Sequence, residues 1–242
     1  MKIFITDGSS DAFFTAVFYA FAERDCLITS DDKVQLSFDS EVVRIDPEND
    51  KCQRVINGIE KYDRLAEEEI LLVLRSCDPL NEQTALEYIR KIMQTKSPVR
   101  KMLGLPEVIE FNDLLYKVRG ETHRMKGFLR FMESRDGALY APFSPDNDIT
   151  DLLMAHFAER MKAERFVIHD VKRKIAGMYD GREWIMARVG EAEVYLSEYE
   201  RAFENLWKKY YKAVNIESRP HIKQMKGYMP VRYWKFLPEK RD

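Results

Sequence analysis

The chain has 242 residues, of which 45% are apolar and 33% charged, and its net charge is −2. This composition is typical of a globular protein with a charged surface, large enough for one domain or two. Three widely spaced cysteines without a C-x-x-C pair argue against a disulfide framework or a metal cluster, and no apolar run approaches the roughly 18 residues of a membrane span. We therefore expect a cytoplasmic protein without metal, cofactor or membrane anchor.

The first half of the chain predicts a short β element followed by helices. Lys2–Thr6 reads as a buried strand, and a Phe-rich helix follows Asp7-Gly8. Residues 48–104 show helical spacing throughout, interrupted by proline and glycine. The remaining predicted elements are possible strands at Val34–Phe38 and Glu41–Ile45 and a helix over Glu107–Lys126.

The second half alternates like a sheet. Asp136-Gly137 and Asp180-Gly181 each stand between two alternating runs, which is a hairpin signal. The predicted elements are strands at Gly127–Glu133, Ala138–Phe143, Arg165–Val171, Ile175–Tyr179 and Arg182–Ala187, a helix over 148–161, a long helix near Glu191–Tyr211, and an irregular tail from Asn215.

This element order predicts an α+β fold with two regions. Residues 1–126 would be mainly helical, and residues 127–242 would form an antiparallel β-β-α-β-β-β sheet covered by helices. The two regions could pack as one unit. The pattern leaves open which face of the sheet is covered.

The last 42 residues are basic and aromatic. Residues 201–242 hold 11 Lys/Arg and 4 Asp/Glu, a local charge of +7, whereas residues 1–200 carry −9. Aromatic rings can stack on bases while cations meet phosphates, which favours a nucleic-acid contact. Alternatively, the aromatics anchor the tail to the body of the protein. The candidates in the tail are Lys223, Arg232, Tyr233 and Trp234.

Two histidines are candidate functional groups. His156 and Arg160 fall in the apolar stripe of the 148–161 helix, so they are either a hydrogen-bonded core pair or the floor of a site for an anion or a base. His169 ends a predicted strand, where it could act as an acid or base, and Arg173 in the following turn could hold a phosphate. A loop histidine and a solvated turn are the simpler interpretations.

A further set surrounds the first hairpin. His123 and Arg124 precede it, and Arg130 alternates with Phe128 on one strand face. If this face is exposed, Phe128, Arg130 and Tyr140 could form a basic and aromatic surface that stacks bases.

The same segments resemble a bacterial family of DNA metabolism or repair proteins, a domain of unknown function. The resemblance implies a DNA-related role, because family members are encoded beside a DNA-modifying radical-SAM protein and the domain also occurs fused to uracil-DNA glycosylase domains. It supplies no catalytic residues. The matching segments are Asp7-Gly8, Val118, Glu121, His123-Arg124, Gly127–Phe131, Tyr140-Ala141, Pro145–Asn147, Leu152-Leu153, His156-Phe157, Arg160, Ile168–Val171, Arg173, Tyr179-Asp180, Trp184, Leu206-Trp207, Tyr210-Tyr211 and Met229–Trp234.

Three hypotheses follow. The first is a DNA-binding accessory protein in repair or base modification, working with a radical-SAM partner. The second is a nucleic-acid-processing enzyme, glycosylase- or nuclease-like, with His156 and His169 as acid/base candidates. The third is a scaffold that binds a protein partner without affinity for DNA.

Overall fold

The computed structural model describes residues 1–31, 40–190, 196–197, 199–214 and 222–240. The predicted strand Val34–Phe38 lies outside these residues. The chain divides into two compact units, Met1–Arg119 and Gly120–Asp242, and the division falls within one long helix. The mixed α and β character predicted from the sequence is confirmed.

The first unit contains a three-stranded parallel sheet in the order β2-β1-β3. The short strand β2 was not predicted from the sequence, because its four residues give too little alternation to recognise. The predicted helices over 48–104 and from residue 107 are confirmed. The elements are β1 (Lys2–Ile5), α1 (Ser10–Ala20), β2 (Cys26–Thr29), β3 (Glu41–Arg44), α2 (Asn49–Glu60), α3 (Ala66–Val73), α4 (Asn81–Thr95) and α5 (Pro106–Phe128).

Local side chains close the turn between β1 and α1. Gly8 has a φ of +82°, a conformation that other residues rarely adopt. The Ser9 side chain then caps α1 by accepting a hydrogen bond from the Ala12 amide at 3.2 Å. Tyr88 and Phe111 stack at 3.7 Å between ring centroids in the core of the unit.

The second unit contains a five-stranded mixed sheet in the order β4-β5-β6-β7-β8. The prediction of a purely antiparallel sheet was wrong at one pair, since β5 and β6 run parallel. Helix α6 connects these two strands, and a crossover connection of this kind makes the flanking strands parallel. The elements are β4 (Met132–Glu133), β5 (Leu139–Phe143), α6 (Thr150–Arg160), β6 (Phe166–Asp170), β7 (Ile175–Tyr179) and β8 (Trp184–Arg188).

Both predicted hairpins are present. β4 pairs with β5 and β7 pairs with β8, each antiparallel, and the turns contain Gly137 at φ +77° and Gly181 at φ +99°. The first strand is shorter than expected, because α5 continues through Phe128 and only Met132–Glu133 pair.

Helix α6 covers one face of this sheet at a glycine. A Cβ built on Gly177 of β7 would collide with the Cγ and Sδ atoms of the buried Met154 side chain. Gly177 pairs with Ile168, so the covered face carries Phe166 and Ile168, and His169 lies on the other face. Helix α6 therefore lies on the Gly177 face, and the buried His169 and Ala176 show that the opposite face is also covered at their positions.

The described part of the tail is helical rather than irregular. Pro230 precedes a 3₁₀ segment, Val231–Phe236, and Pro238 begins another, Pro238–Lys240. Proline suits the start of a helical turn because its missing amide would have no partner there. The other elements are α7 (Glu200–Val214) and α8 (Ile222–Tyr228). Within the described ranges, no helix is both long enough and apolar enough to cross a membrane.

We predict that Gly177→Ala destabilises the second unit by about 1–3 kcal/mol, because the added methyl overpacks the contact with Met154. All three tryptophans, Trp184, Trp207 and Trp234, lie in this unit, so urea unfolding followed by tryptophan fluorescence measures it selectively. Shortening the opposing side chain in Met154→Ala/Gly177→Ala should cost less than the sum of the two single changes. Additive costs would contradict this packing.

Candidate functional site

A positively charged surface lies on α6 and the end of α5. His156 is half-buried and packs edge-to-face on Phe157 at 5.1 Å between ring centroids, while Arg160 one turn later is exposed. Lys126, half-buried on α5, acts electrostatically on the same imidazole. We call Lys126, His156 and Arg160 the basic helical surface.

This placement corrects the sequence interpretation of α6. His156 and Arg160 were expected within the apolar stripe, with His156 at its centre, but the buried side chains of the helix are Thr150, Leu153, Met154 and Phe157. The two basic residues lie at the edge of that stripe, where they can meet solvent or a ligand.

The pKa of His156 is shifted by burial and by three neighbouring charges. Burial lowers the pKa below its ordinary value, and the nearby charges of Lys126 and Arg160 lower it further, against a smaller raising effect of Glu159. Cations that disfavour the imidazolium would favour an anion at the same place.

His123 and Arg124 are on α5, close in sequence to Lys126. His123 is exposed and Arg124 is half-buried. Residues three apart on a helix share a face, so His123 extends the side of α5 that carries Lys126.

His169 is buried and bonded to a tyrosine. Its Nδ1 and the Tyr140 hydroxyl lie 2.7 Å apart, and the side chain is 4% exposed. Burial lowers the pKa of His169, partly opposed by Asp170, and burial raises the pKa of Tyr140. Nε2 of His169 has no hydrogen-bond partner among the described residues.

The two candidate histidines are on opposite sides of the sheet. His156 belongs to α6, which packs on the Gly177 face, whereas His169 pairs with Ala176 and faces away from that helix. They therefore do not form a joint acid and base in one site.

A buried carboxylate, Glu121, holds the loop before α6. It accepts hydrogen bonds from the Asp146 amide at 3.0 Å and from the Asn147 amide at 2.8 Å and side chain at 2.7 Å. The Tyr233 hydroxyl also donates to it, and Arg232 lies 3.6 Å away while pairing with Asp146 at 2.7 Å. We call this network the loop clamp.

The hydrogen bonds of the loop clamp favour the ionised form of Glu121. Burial by itself raises the pKa of Glu121, but the hydrogen bonds from Tyr233, Asp146 and Asn147 outweigh burial and hold the pKa below its ordinary value. Tyr233, whose pKa is raised chiefly by burial, stays protonated and keeps donating.

Arg173 completes the clamp from the turn after β6. Its guanidinium pairs with the buried Asp170 at 2.8 Å and donates to the carbonyl oxygens of Pro145 and Asp146. Asp170 in turn accepts the Lys172 and Arg173 amides. The predicted site residues Arg173, Arg232 and Tyr233 are thus engaged within the protein, and Tyr233 is 2% exposed.

A second carboxylate, Glu239, fixes the other end of the tail. Arg130 pairs with it at 2.9 Å and also lies over the Trp207 ring at 5.3 Å, while Trp207 Nε1 donates to it at 2.9 Å. The burial of Glu239 raises its pKa, but these bonds and a backbone amide bring it below its ordinary value. Arg130 is therefore an anchor of α7.

The last two candidates are in the tail itself. Trp234 donates from Nε1 to the Met229 carbonyl oxygen at 3.0 Å and carries Lys240 over its ring at 5.2 Å. Lys223 is exposed on α8. Among the described residues, no group of three His, Cys, Asp or Glu side chains is placed to hold a metal ion.

Two residues that matter most here were not selected from the sequence as site residues. Glu121 is a carboxylate at helical spacing with the buried Leu114, Val118 and Met125, and that interruption of an apolar stripe was a usable signal. Lys126 gave no signal, because its role depends on its electrostatic effect on His156, a residue 30 positions away in the sequence.

The model of a family described as a domain of unknown function, DUF4130, matches residues 79–239, more than half of the chain. The chain belongs to this family. The matched segment includes the basic helical surface and both carboxylates that anchor the tail. No curated protein and no solved structure matched the chain.

We predict that Glu121→Gln destabilises the second unit by about 2–4 kcal/mol, because the change leaves donors of the clamp without an acceptor and removes the charge facing Arg232. Tryptophan-monitored urea unfolding measures the loss. The exposed Glu164→Gln is the matched control and should change stability by less than about 0.5 kcal/mol.

The pH dependence of this loss has a defined sign. Because the folded pKa of Glu121 is depressed, its ionic contribution is complete above the unfolded value of about 4.3 and is lost as the pH falls through the folded value. The difference between wild type and Glu121→Gln should therefore narrow below about pH 4. A difference that widens in acid would contradict an ionised Glu121.

Proposed function

We propose that this protein is a DNA-binding accessory protein in DNA repair or base modification, and that the basic helical surface contacts the phosphate backbone. The family resemblance supports the DNA-related role and a radical-SAM protein as its working partner. The observation that carries the proposal is that His156 is half-buried between two cations, Lys126 at the end of α5 and the exposed Arg160 on α6, which both lower the pKa of its imidazole.

The chemistry of that surface suits a phosphate better than a neutral ligand. Each cation lowers the pKa of the imidazole, so the free surface is electrostatically unfavourable for its own protonated form. A phosphate among the three groups would offset this repulsion with charge-assisted hydrogen bonds. His123 and Arg124 would extend the binding surface along α5.

In this proposal the arginines of the loop clamp hold α6 in position and do not bind the phosphate themselves. Arg232 and Arg173 are paired with Asp146 and Asp170, so moving either to a phosphate would leave a carboxylate without its cation. The clamp holds the loop from which α6 starts, and α6 carries His156 and Arg160. Arg232 substitutions would accordingly report on folding as well as on binding.

We predict that Lys126→Gln/Arg160→Gln weakens DNA binding and flattens its salt dependence, by about 0.9 in the logarithmic slope for each phosphate that the variant no longer neutralises. Fluorescence anisotropy with labelled single- and double-stranded DNA, over a series of salt concentrations, gives both quantities. A change in slope distinguishes weaker phosphate binding from a general decrease in affinity.

The matched control is Lys172→Gln/Lys174→Gln, which removes the same charge in the turn at the other end of the sheet. It should retain most of the affinity and slope. Equal decreases in both variants would mean that only net charge matters. Absence of binding by the wild-type protein would favour a protein-binding scaffold.

We further predict that DNA affinity rises as the pH falls from about 8 to about 5.5, because a bound phosphate raises the pKa of His156 and binding then takes up a proton. His156→Gln should abolish most of this pH dependence while leaving the affinity at about pH 8 nearly unchanged. Anisotropy titrations of both proteins across the range measure the effect. An unchanged pH profile in the variant would exclude His156 from the binding surface.

A further inference from the structure

Among the described residues, strand β8 is an edge strand of the five-stranded sheet. It pairs with β7 on one side, and no other described strand pairs with it on the other. Ile185 is 59% exposed on one face, and Trp184 and Met186 are more than a third exposed on the other. Natural edge strands are commonly protected by charged side chains, proline or a bulge. The segment Trp184–Arg188 contains no proline and no bulge, and its one charged residue, Arg188, is at its end.

The hydrogen bonds to β7 identify which backbone groups point outward. The Glu183 carbonyl oxygen accepts from the Asp180 amide, and the Val189 amide donates to the Lys174 carbonyl oxygen, so odd-numbered residues of this segment face β7. In an antiparallel ladder the two sides alternate. The amides and carbonyls of Trp184, Met186 and Arg188 therefore point away from the sheet.

We propose that this edge pairs with β8 of a second copy of the chain, antiparallel and centred on Met186, so that the two sheets continue into one. In this register Met186 faces itself across the two-fold axis, and Trp184 faces Arg188 of the second copy. All the outward amides and carbonyls of the strand then find partners. The interface is self-complementary, as a two-fold dimer requires.

The side chains fit the same register. Trp184 and Arg188 lie on the same face of β8, so each tryptophan of the pair meets an arginine across the strands, an arrangement that favours a cation–π contact. On the other face Ile185 lies opposite Ala187 of the second copy, which leaves room for the larger side chain. A one-residue shift of the register would break both pairings and the hydrogen-bond pattern.

A dimer of this kind would contain two copies of the basic helical surface. A two-fold axis through a continuous antiparallel sheet is perpendicular to it, so both copies of α6 lie on the same side. The pairing itself does not depend on DNA binding, and it is measured without DNA. Failure of one proposal therefore leaves the other standing.

The test introduces a positive or a negative side chain at Met186, the residue that lies on the proposed two-fold axis. Met186→Lys or Met186→Glu alone places like charges directly opposite each other and should raise the dimer dissociation constant of the full chain by at least about tenfold. An equimolar mixture of the two variants places Lys opposite Glu and should restore the dimer. Sedimentation equilibrium measures all three samples, with Met186→Leu as the control that stays dimeric.

Three outcomes would overturn the proposal. They are a wild-type protein that stays monomeric, charged variants that dimerise like wild type, and a mixture that remains monomeric. Should a charged side chain unfold the strand, Met186→Cys in a Cys77→Ser background gives an independent measurement. Under mild oxidation, the Met186→Cys variant should form a disulfide-linked dimer faster than an Ile185→Cys variant that also carries Cys77→Ser. Equal rates of cross-linking would exclude the Met186-centred register.

Discussion

The second unit depends on one buried carboxylate. Glu121 is almost fully enclosed, yet its pKa lies below the ordinary value because backbone amides, an amide side chain and a tyrosine hydroxyl donate to it, and Arg232 lies 3.6 Å away. Its partners come from the loop before α6 and from the 3₁₀ segment near the end of the chain. A buried charge of this kind is costly if any partner is removed, so it fixes all of these segments together. The position of α6, and with it the basic helical surface, follows from that constraint.

The same principle explains why the charge of the tail is a poor measure of its function. Arg232 pairs with Asp146, and Lys240 lies over the Tyr211 and Trp234 rings. Glu239, a tail residue, receives Arg130 from the body. Such interactions stabilise the fold and reduce the field that a polyanion would meet. The surface at the end of α5 and on α6 carries less formal charge, but there Lys126 and Arg160 act together on a third titratable group.

Prediction from sequence succeeded where the signal was local. The hairpins were recognisable because Asp-Gly turns have a characteristic backbone conformation, and the helices from residue 48 onward were recognisable from their spacing. It failed where the outcome depended on distant parts of the chain. β5 and β6 are parallel because α6 connects them as a crossover helix. His156 lies at the edge of the buried stripe because Met154 packs on Gly177.

The sequence by itself determined the α+β class, the hairpin turns and the candidate residues, since these follow from composition, periodicity and turn chemistry. Only the tertiary structure decided what those residues do. It enclosed Tyr233 and His169, paired Arg173 with Asp170, and left Arg160 exposed one helical turn after His156. The reason is that a charge is free to meet a ligand only when no buried partner already holds it. The partners of Tyr233 and His169, which are Glu121 and Tyr140, are far away in the sequence.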